Sequence, residues 1–340
     1  MIEPICVDVT GTYRNQGRQH GEALAGTIKE IIAEIVPWSQ WDEARVDGML
    51  GTVEANLRRF TPGIIEEMHG IAEGSGLTYR EILAYNALVD VSMMHQWCTA
   101  VAWADSPEGP VVGKTNDIGQ HHEKYHQMYR RRSGEGLPAL WFSWPGTAWG
   151  GCFVNSGGVA SGGASLGMNA RHPDGIPCNC MLRVLADEAE TLEAFLGCLD
   201  RVPVMHHPQH NVCSWAGGQT VAIEITPEGP HVCQSADEPF VAVTNHFCDG
   251  PFVGRDTGEQ RHQDNSRRRL ANLRHLAATV EPGVEGMKRI LTDHAESGGI
   301  CQHGADDMWS SSAFIMLPRD RRMLVAQGQP CENEWVELVL

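Results

Sequence analysis

Leu24, Ile28, Ile31, Ile32 and Ile35 recur at the i, i+3, i+4, i+7 spacing of one helix face, and Pro37 ends that run. A second periodic stretch covers 42–60 and closes at Thr61-Pro62-Gly63. Thr78-Tyr79-Arg80-Glu81 reads as a capping box, in which the Thr78 hydroxyl accepts an orphan backbone N–H while Glu81 reaches back to the cap. Ile82, Tyr85, Leu88 or Val89, and Met93 then predict the buried face of the helix it opens.

At Cys98 the period changes. Runs of small or β-branched residues at 98–104 and 110–116 flank Asp105-Ser106-Pro107-Glu108-Gly109, which has turn chemistry, so a β-hairpin begins at a cysteine. Strands are predicted near 126–132, 139–144, 150–154 and 158–164, with turns at Ser133-Gly134-Glu135-Gly136 and Asn155-Ser156-Gly157-Gly158. Helical spacing returns at 179–200, followed by strands near 211–216, 219–225, 230–234 and 240–245. Helices at 263–279 and 284–295 and strands at 313–318 and 322–327 close the chain. This order predicts an α+β fold of two antiparallel sheets with helical layers outside. With no repeat, low-complexity segment or linker, a single domain over 1–340 is expected.

Composition narrows the class. The 340 residues carry 26 Lys+Arg against 43 Asp+Glu, a net charge of −17 that repels phosphate backbones and anionic lipid. The two dense basic clusters, Arg130-Arg131-Arg132 and Arg267-Arg268-Arg269, are expected to be solvated faces or strand ends. No apolar run approaches the roughly 18 residues of a membrane span. Eleven cysteines, an odd count, and no visible secretion signal suggest a reduced, cytoplasmic protein with free thiols. Because no C-x-x-C occurs, neither a zinc ribbon nor a thioredoxin-type site is expected.

Four places could hold chemistry. His122-Glu123-Lys124-Tyr125-His126 is a literal H-E-x-x-H, which on a helix sets two imidazoles on one face for zinc beside a general base. Here Gly119 precedes it and a strand follows. Gly163-Ala164-Ser165-Leu166-Gly167 matches a nucleophile elbow, but the helix that motif needs is absent from the pattern that follows. His206-His207-Pro208-Gln209-His210 lies in a predicted loop and reads as solvated or as a pocket rim. Cys98 by residue type is a buried strand cysteine. Its company changes the odds: Gly113-Lys114-Thr115-Asn116-Asp117 and Val243-Thr244-Asn245-His246-Phe247 both end predicted strands that could neighbour its own.

Over nearly its whole length the chain resembles the peptidase family containing the fungal acyl-coenzyme A:6-aminopenicillanic acid acyltransferases, within the N-terminal nucleophile (Ntn) hydrolases. The residues that carry the likeness begin with Gly11-Thr12-Tyr13, Gly17-Arg18-Gln19-His20-Gly21, Gly76-Leu77-Thr78 ahead of Asn86, Cys98-Thr99 and Asn116-Asp117. Asn155-Ser156-Gly157-Gly158-Val159-Ala160, Asn211, Glu224, Thr244-Asn245-His246-Phe247 and Gly328-Gln329-Pro330-Cys331 continue it. The resemblance implies a four-layer αββα sandwich. It also implies self-cleavage between Trp97 and Cys98, giving an α chain of 1–97 and a β chain of 98–340. Cys98 would then be the nucleophile, Asp117 would position and charge-balance it, and Asn245 would donate to the oxyanion. Thr99, Lys114, Asn116, Asn155, His210 and Arg267 are further candidates for substrate binding or support. Three departures stand out: Lys114 replaces an arginine common in related Ntn hydrolases, the small stretch Ser161-Gly162-Gly163-Ala164-Ser165 replaces a further asparagine, and Trp97 is bulkier than the glycine often found there.

The expected function is an autoproteolytic cysteine Ntn amidohydrolase cleaving a small non-peptide or short amide through an acyl-cysteine. Acyl transfer from a thioester such as acyl-CoA to an amine is the near alternative, disfavoured because no basic phosphate-binding patch is evident. From other classes come a zinc metallohydrolase using His122, Glu123 and His126, and a non-catalytic binding relative. No cofactor or metal is expected for the cysteine mechanism, and the partner is a small-molecule amide or thioester rather than nucleic acid or membrane. A homo-oligomer is compatible with everything in the sequence.

Overall fold

The computed structural model describes residues 6–87, 97–234, 239–304 and 308–340, apart from the side chains of 120–122. After strand β1 (Cys6–Gly11) come helices α1 (Tyr13–Ile35), α2 (Glu43–Phe60), α3 (Pro62–Ser75) and α4 (Tyr79–Asn86). The capping box forms: Thr78 Oγ1 accepts from Glu81 N (3.3 Å) and Glu81 Oε2 from Thr78 N (2.8 Å). Leu88, Val89 and Met93 lie outside the described residues. Helix α3 was not anticipated, because Thr61-Pro62-Gly63 closes α2 and at once opens α3. Proline costs nothing there, since a first-turn N–H has no intrahelical acceptor. The backbones of α1 and α3 nearly touch: a Cβ on Gly17 would sit 2.0 Å from Glu67 O, and one on Gly70 2.1 Å from Arg14 O.

Two sheets follow. The first has the order β1, β4 (Gln127–Gly134), β5 (Ala139–Ser143), β6 (Phe153–Asn155), β7 (Val159–Ser165), β8 (Gln209–Trp215), β9 (Gln219–Thr226), β10 (Gly229–Gln234). The second runs β11 (Phe240–Val243), β2 (Trp97–Trp103), β3 (Val111–Ile118), β12 (Trp309–Leu317), β13 (Arg322–Gln327), β14 (Val336–Val339). The expectation of wholly antiparallel sheets fails at one edge, where β1 lies parallel to β4. A parallel neighbour needs a long crossover, and the chain from α1 onward supplies it. The predicted helix at 179–200 is two, α5 (Cys178–Glu188) and α6 (Leu192–Arg201), because Thr191 caps a new helix by accepting from Ala194 N (3.1 Å).

Side-chain alternation assigns the layers. Ala100, Ala102, Val112, Phe314 and Met316 join the main core with the first sheet and α1–α6. Val101, Trp103, Val111, Ala313, Ile315 and Leu317 pack instead under α7 (Gln260–Thr279) and α8 (Val284–Leu291). The result is the αββα sandwich. Trp103, Trp141, Trp144 and Trp149 are all buried core.

The expectation that Arg130-Arg131-Arg132 is solvated fails for Arg131. Fully buried, it donates to Asp187 Oδ1 (2.6 Å), which also receives Arg183 Nε (3.0 Å), while Arg183 Nη1 reaches Glu67 Oε1 (2.9 Å). Burial opposes the Asp187 charge, but its two guanidiniums outweigh burial and hold the carboxyl below its ordinary range. This chain of charges pins α3, α5 and β4 together. Among the described residues no helix is long and apolar enough to cross a membrane.

Candidate active site

The hairpin predicted from Cys98 forms, with Cys98 opposite Asn116 and Trp97 opposite Asp117. Cys98 shares the inter-sheet face of Ala100 and Ala102, and Thr99 the opposite face beneath α7. On the other side of β2, β11 ends its pairing at Val243 opposite Ala100, and the chain continues to Asn245. There Asn245 Oδ1 accepts from Cys98 N (3.0 Å), while Asn245 Nδ2 donates to Ser165 O at the end of β7 (2.9 Å). The nitrogen of the Trp97/Cys98 peptide bond is thus held by a buried side-chain amide.

Helix α7 completes the constellation. Projecting its apolar face, Leu270, Leu273 and Ala277, back by one turn places Ser266 and Arg269 against β2 and β11 with Asn265 one turn before Arg269, and all three are buried. Arg269 Nη1 donates to Cys98 O and Thr99 Oγ1 (2.8 Å each), Nη2 to Asn245 Oδ1 (2.8 Å), and Nε to Asn265 Oδ1 (2.7 Å). Ser266 Oγ accepts from Asn245 N (2.8 Å). The expected candidate Arg267 is corrected: it points outward and pairs with Gln263 and Asp264, because two residues along a helix turn a side chain to the far face. Sequence reasoning also missed Asn265, Ser266 and Ser310.

Asp117 is fully buried one residue beyond the thiol's neighbour. Its Oδ1 accepts from Ser310 Oγ (2.6 Å) and its Oδ2 from Thr115 Oγ1 (3.2 Å). Alternation makes Asn116, whose Oδ1 lies 3.7 Å from Cys98 Sγ, the residue that meets the thiol. Burial raises the Asp117 pKa, against the lowering influence of Arg269, Ser310, Lys114 and Thr115. The folded chain therefore keeps this proton to higher pH than the unfolded chain does. The stabilising contribution is full below the ordinary carboxylate value, near about pH 4, and is lost as pH rises through the raised one. Asp117→Asn, neutral throughout, is expected to flatten that part of the melting-temperature profile. An unchanged slope above pH 4 would show that Asp117 is not its source.

The remaining candidates separate. Thr99 is in the constellation through Arg269. Lys114 is buried between the sheets, donating to Gly163 O (2.7 Å). Asn155 lies apart from Cys98's neighbours, fixing the turn after β6 by donating to Ala189 O (2.8 Å) and accepting from Val159 N (3.1 Å). His210 is not a solvated loop residue: it lies in β8, with Nδ1 2.9 Å from Thr244 O and Nε2 3.1 Å from Glu224 Oε1. Its neighbour His207 is buried too. Gly163 of the elbow pattern is a packing residue, since a Cβ there would sit 2.0 Å from His210 O. The H-E-x-x-H run is a 3₁₀ turn, Gln120–Tyr125, rather than an α-helix, so the same-face argument for two imidazoles does not hold; the His122 side chain lies outside the described residues.

A cavity of about 390 Å³ opens beside this constellation, lined by Trp97, Ser165, Leu166, Asn245, Glu259 and His262 among others. The Trp97 ring packs on His262, with centroids 4.2 Å apart. Among the described residues two groups are near enough together to hold a metal: His210, Glu224 and Cys233, and His294, Cys301, His303 and Cys331.

The family model for acyl-coenzyme A:6-aminopenicillanic acid acyl-transferase matches residues 104–330, a span opening just after Cys98. The 40 kDa form of acyl-coenzyme A:6-aminopenicillanic-acid-acyltransferase from Emericella nidulans is 25% identical over 197 residues, 56% of this chain and 55% of the relative. The chain thus spans about half the length of that curated relative. Among solved structures, penicillin V acylase from Agrobacterium tumefaciens is similar at 10% identity and a TM-score of 0.47, over 72% of this chain and 86% of that one. The R18L variant of conjugated bile acid hydrolase from Clostridium perfringens follows at 11% identity and 0.44, over 72% and 97%.

Proposed function

The chain belongs to the acyl-coenzyme A:6-aminopenicillanic acid acyl-transferase family, and on that premise we propose that it is an autoproteolytic cysteine Ntn amidohydrolase acting on a small non-peptide or short amide. The observation that carries the reading is the grip on both ends of the Cys98 backbone: N–H to Asn245 Oδ1 and C=O from Arg269, with the thiol on the same residue. Cys98 Sγ attacks the Trp97 carbonyl, the C–S bond forms as the C–N bond breaks, and the departing nitrogen takes up a proton. Water then hydrolyses the thioester, leaving a carboxylate on Trp97 and an α-amine on Cys98. That amine has a reference pKa near about 8 against about 8.5 for the thiol, so one residue supplies base and nucleophile at neutral pH. Asn245 is suited to hold the new amine as it holds the amide. In turnover the substrate acyl group passes to Cys98 Sγ and then to water.

Acyl transfer to an amine is the second reading, favoured by the family's description. Hydrolysis is preferred because the cavity beside Trp97 carries Glu259 and, among the described residues, no lysine or arginine in its lining, a poor cradle for a polyphosphate thioester. None of the eleven cysteines is in a disulfide, which suits a reducing compartment such as the cytoplasm. The single domain would then comprise an α chain of 1–97 and a β chain of 98–340.

An intact-mass spectrum of the purified wild-type chain with N-terminal sequencing tests this. Two fragments with the masses of 1–97 and 98–340, the larger beginning at Cys98, are expected. A single uncut mass together with an unreactive Cys98 thiol would overturn it in favour of a binding relative. Adding an amine acceptor to a turnover assay separates hydrolysis from transfer by the product formed.

A further inference from the structure

Away from Cys98, four metal-ligating side chains converge, three of which, His294, Cys301 and His303, line a cavity of about 350 Å³. His294 follows α8, Cys301 and His303 precede β12, and Cys331 follows β13. Their donor atoms lie at 3.7 Å (Cys301 Sγ to Cys331 Sγ), 3.4 Å (Cys301 Sγ to His303 Nε2), 3.3 Å (Cys331 Sγ to His303 Nε2) and 3.1 Å (His303 Nε2 to His294 Nε2). An ion with Zn–S of about 2.3 Å and Zn–N of about 2.0–2.1 Å at tetrahedral angles sets sulfurs about 3.8 Å apart, sulfur and nitrogen about 3.6 Å, and nitrogens about 3.3 Å. These four separations each come within about 0.3 Å of the corresponding tetrahedron edge, and His294 lies within 4.8 Å of both sulfurs. Four donors packed this closely are not a hydrophobic contact, and a sulfur pair at 3.7 Å is not a disulfide.

We propose that His294, Cys301, His303 and Cys331 form a closed, structural Cys₂His₂ site for zinc(II). Thiolate and imidazole donors select zinc over magnesium or calcium, and four protein ligands leave no open position for a reacting water. Binding one Zn²⁺ forms two Zn–S and two Zn–N bonds and releases the two thiol protons, so the site becomes neutral overall. The ion ties the end of α8, the approach to β12 and the segment after β13 into one unit. That unit abuts the Cys98 constellation: Gln302 N donates to Ser310 Oγ (2.9 Å), and Ser310 Oγ donates to Asp117 Oδ1 (2.6 Å). Zinc would thereby brace the hydroxyl that holds Asp117. The site is independent of any assignment of the reaction at Cys98.

Cobalt(II) titration of the full, chelator-stripped chain tests the assignment. One ion per chain, a thiolate-to-cobalt charge-transfer band with the visible envelope of a tetrahedral ion, and displacement by zinc with two protons released are expected. Cys331→Ser and His294→Asn should each weaken zinc binding by at least about a hundredfold, more than the loss of an outer-shell partner costs. Cys98→Ala should keep the band, excluding the other thiol of interest. A wild-type chain that gives no thiolate band, a band that survives in the Cys301→Ser, Cys331→Ser double variant, or a Cys301–Cys331 cross-linked peptide in freshly isolated protein would each overturn the zinc site.

Discussion

Replacing Cys98 with alanine is expected to leave one uncut chain and to lower amide turnover by on the order of 10⁴-fold or more, as loss of a covalent nucleophile does elsewhere. On the proposed mechanism both effects come from one residue because sulfur and nitrogen would serve in succession: the thiol would open the Trp97/Cys98 bond, and the released amine would then assist the thiol. The variant separates chemistry from folding. Cys98 is buried at the first positions of β2, and its alanine replacement removes one sulfur atom while every backbone contact to Asn245 and Arg269 can remain. The lost transfer and cavity energy is about 1 kcal/mol, so the melting temperature should fall by only a few degrees. Mass spectrometry, turnover and melting on the same preparation decide the matter. An alanine variant that is still cut before residue 98, or that still turns over amide, would move the nucleophile to another side chain.

Where burial and chain period coincide, the sequence was legible. The hairpin at Cys98, the capping box at Thr78 and strands β2 to β13 follow from local rules, and the register of β2 on β3 then puts Cys98 and Asn116 on one face, while the edge strands β1 and β14 are not predicted. What escaped has a physical cause in each case. Helix α3 hid behind a proline that both ends one helix and starts the next. The parallel edge strand β1 depends on a partner more than a hundred residues away, which no local pattern encodes. Arg131 and Arg269 looked like solvated charge because runs of three arginines usually are; each is buried as the inward member of its run, compensated by Asp187 in one case and by four oxygen acceptors in the other.

The metal ligands show the same limit. A search for C-x-x-C cannot find a site whose cysteines are thirty residues apart in sequence and whose only close pair is Cys301 and His303. Such sites are made by tertiary proximity, as is the junction of Asp117 with Ser310 across β3 and β12. By contrast, Arg269 was recoverable in principle. The apolar positions 270, 273, 276 and 277 fix the inward face of α7, and with Leu276 included that face is centred closer to 269 and 266 than to 267.

That face yields the last prediction: Arg269→Lys is expected to lower kcat by about a hundredfold or more and to slow self-cleavage, whereas Arg267→Lys should change either by less than about twofold. A guanidinium reaches Cys98 O, Thr99 Oγ1, Asn245 Oδ1 and Asn265 Oδ1 at once, all within 2.8 Å. An ammonium on a flexible stem offers three donors from a single atom and cannot span the two faces of that fork. At least two buried acceptors would be left unpaired at about 1–3 kcal/mol each, and every 1.36 kcal/mol that falls on the transition state is about tenfold in rate. Because Arg269 grips the backbone oxygen of Cys98 and the amide that holds its nitrogen, misplacement bears on the reacting atoms and not on the cavity walls. The loss should therefore appear in kcat with KM little changed, which a general loosening of the fold would not produce. A lysine variant that matches wild type in processing and in kcat would show that the guanidinium is only packing, and the proposed geometry of the Cys98 site would fall with it.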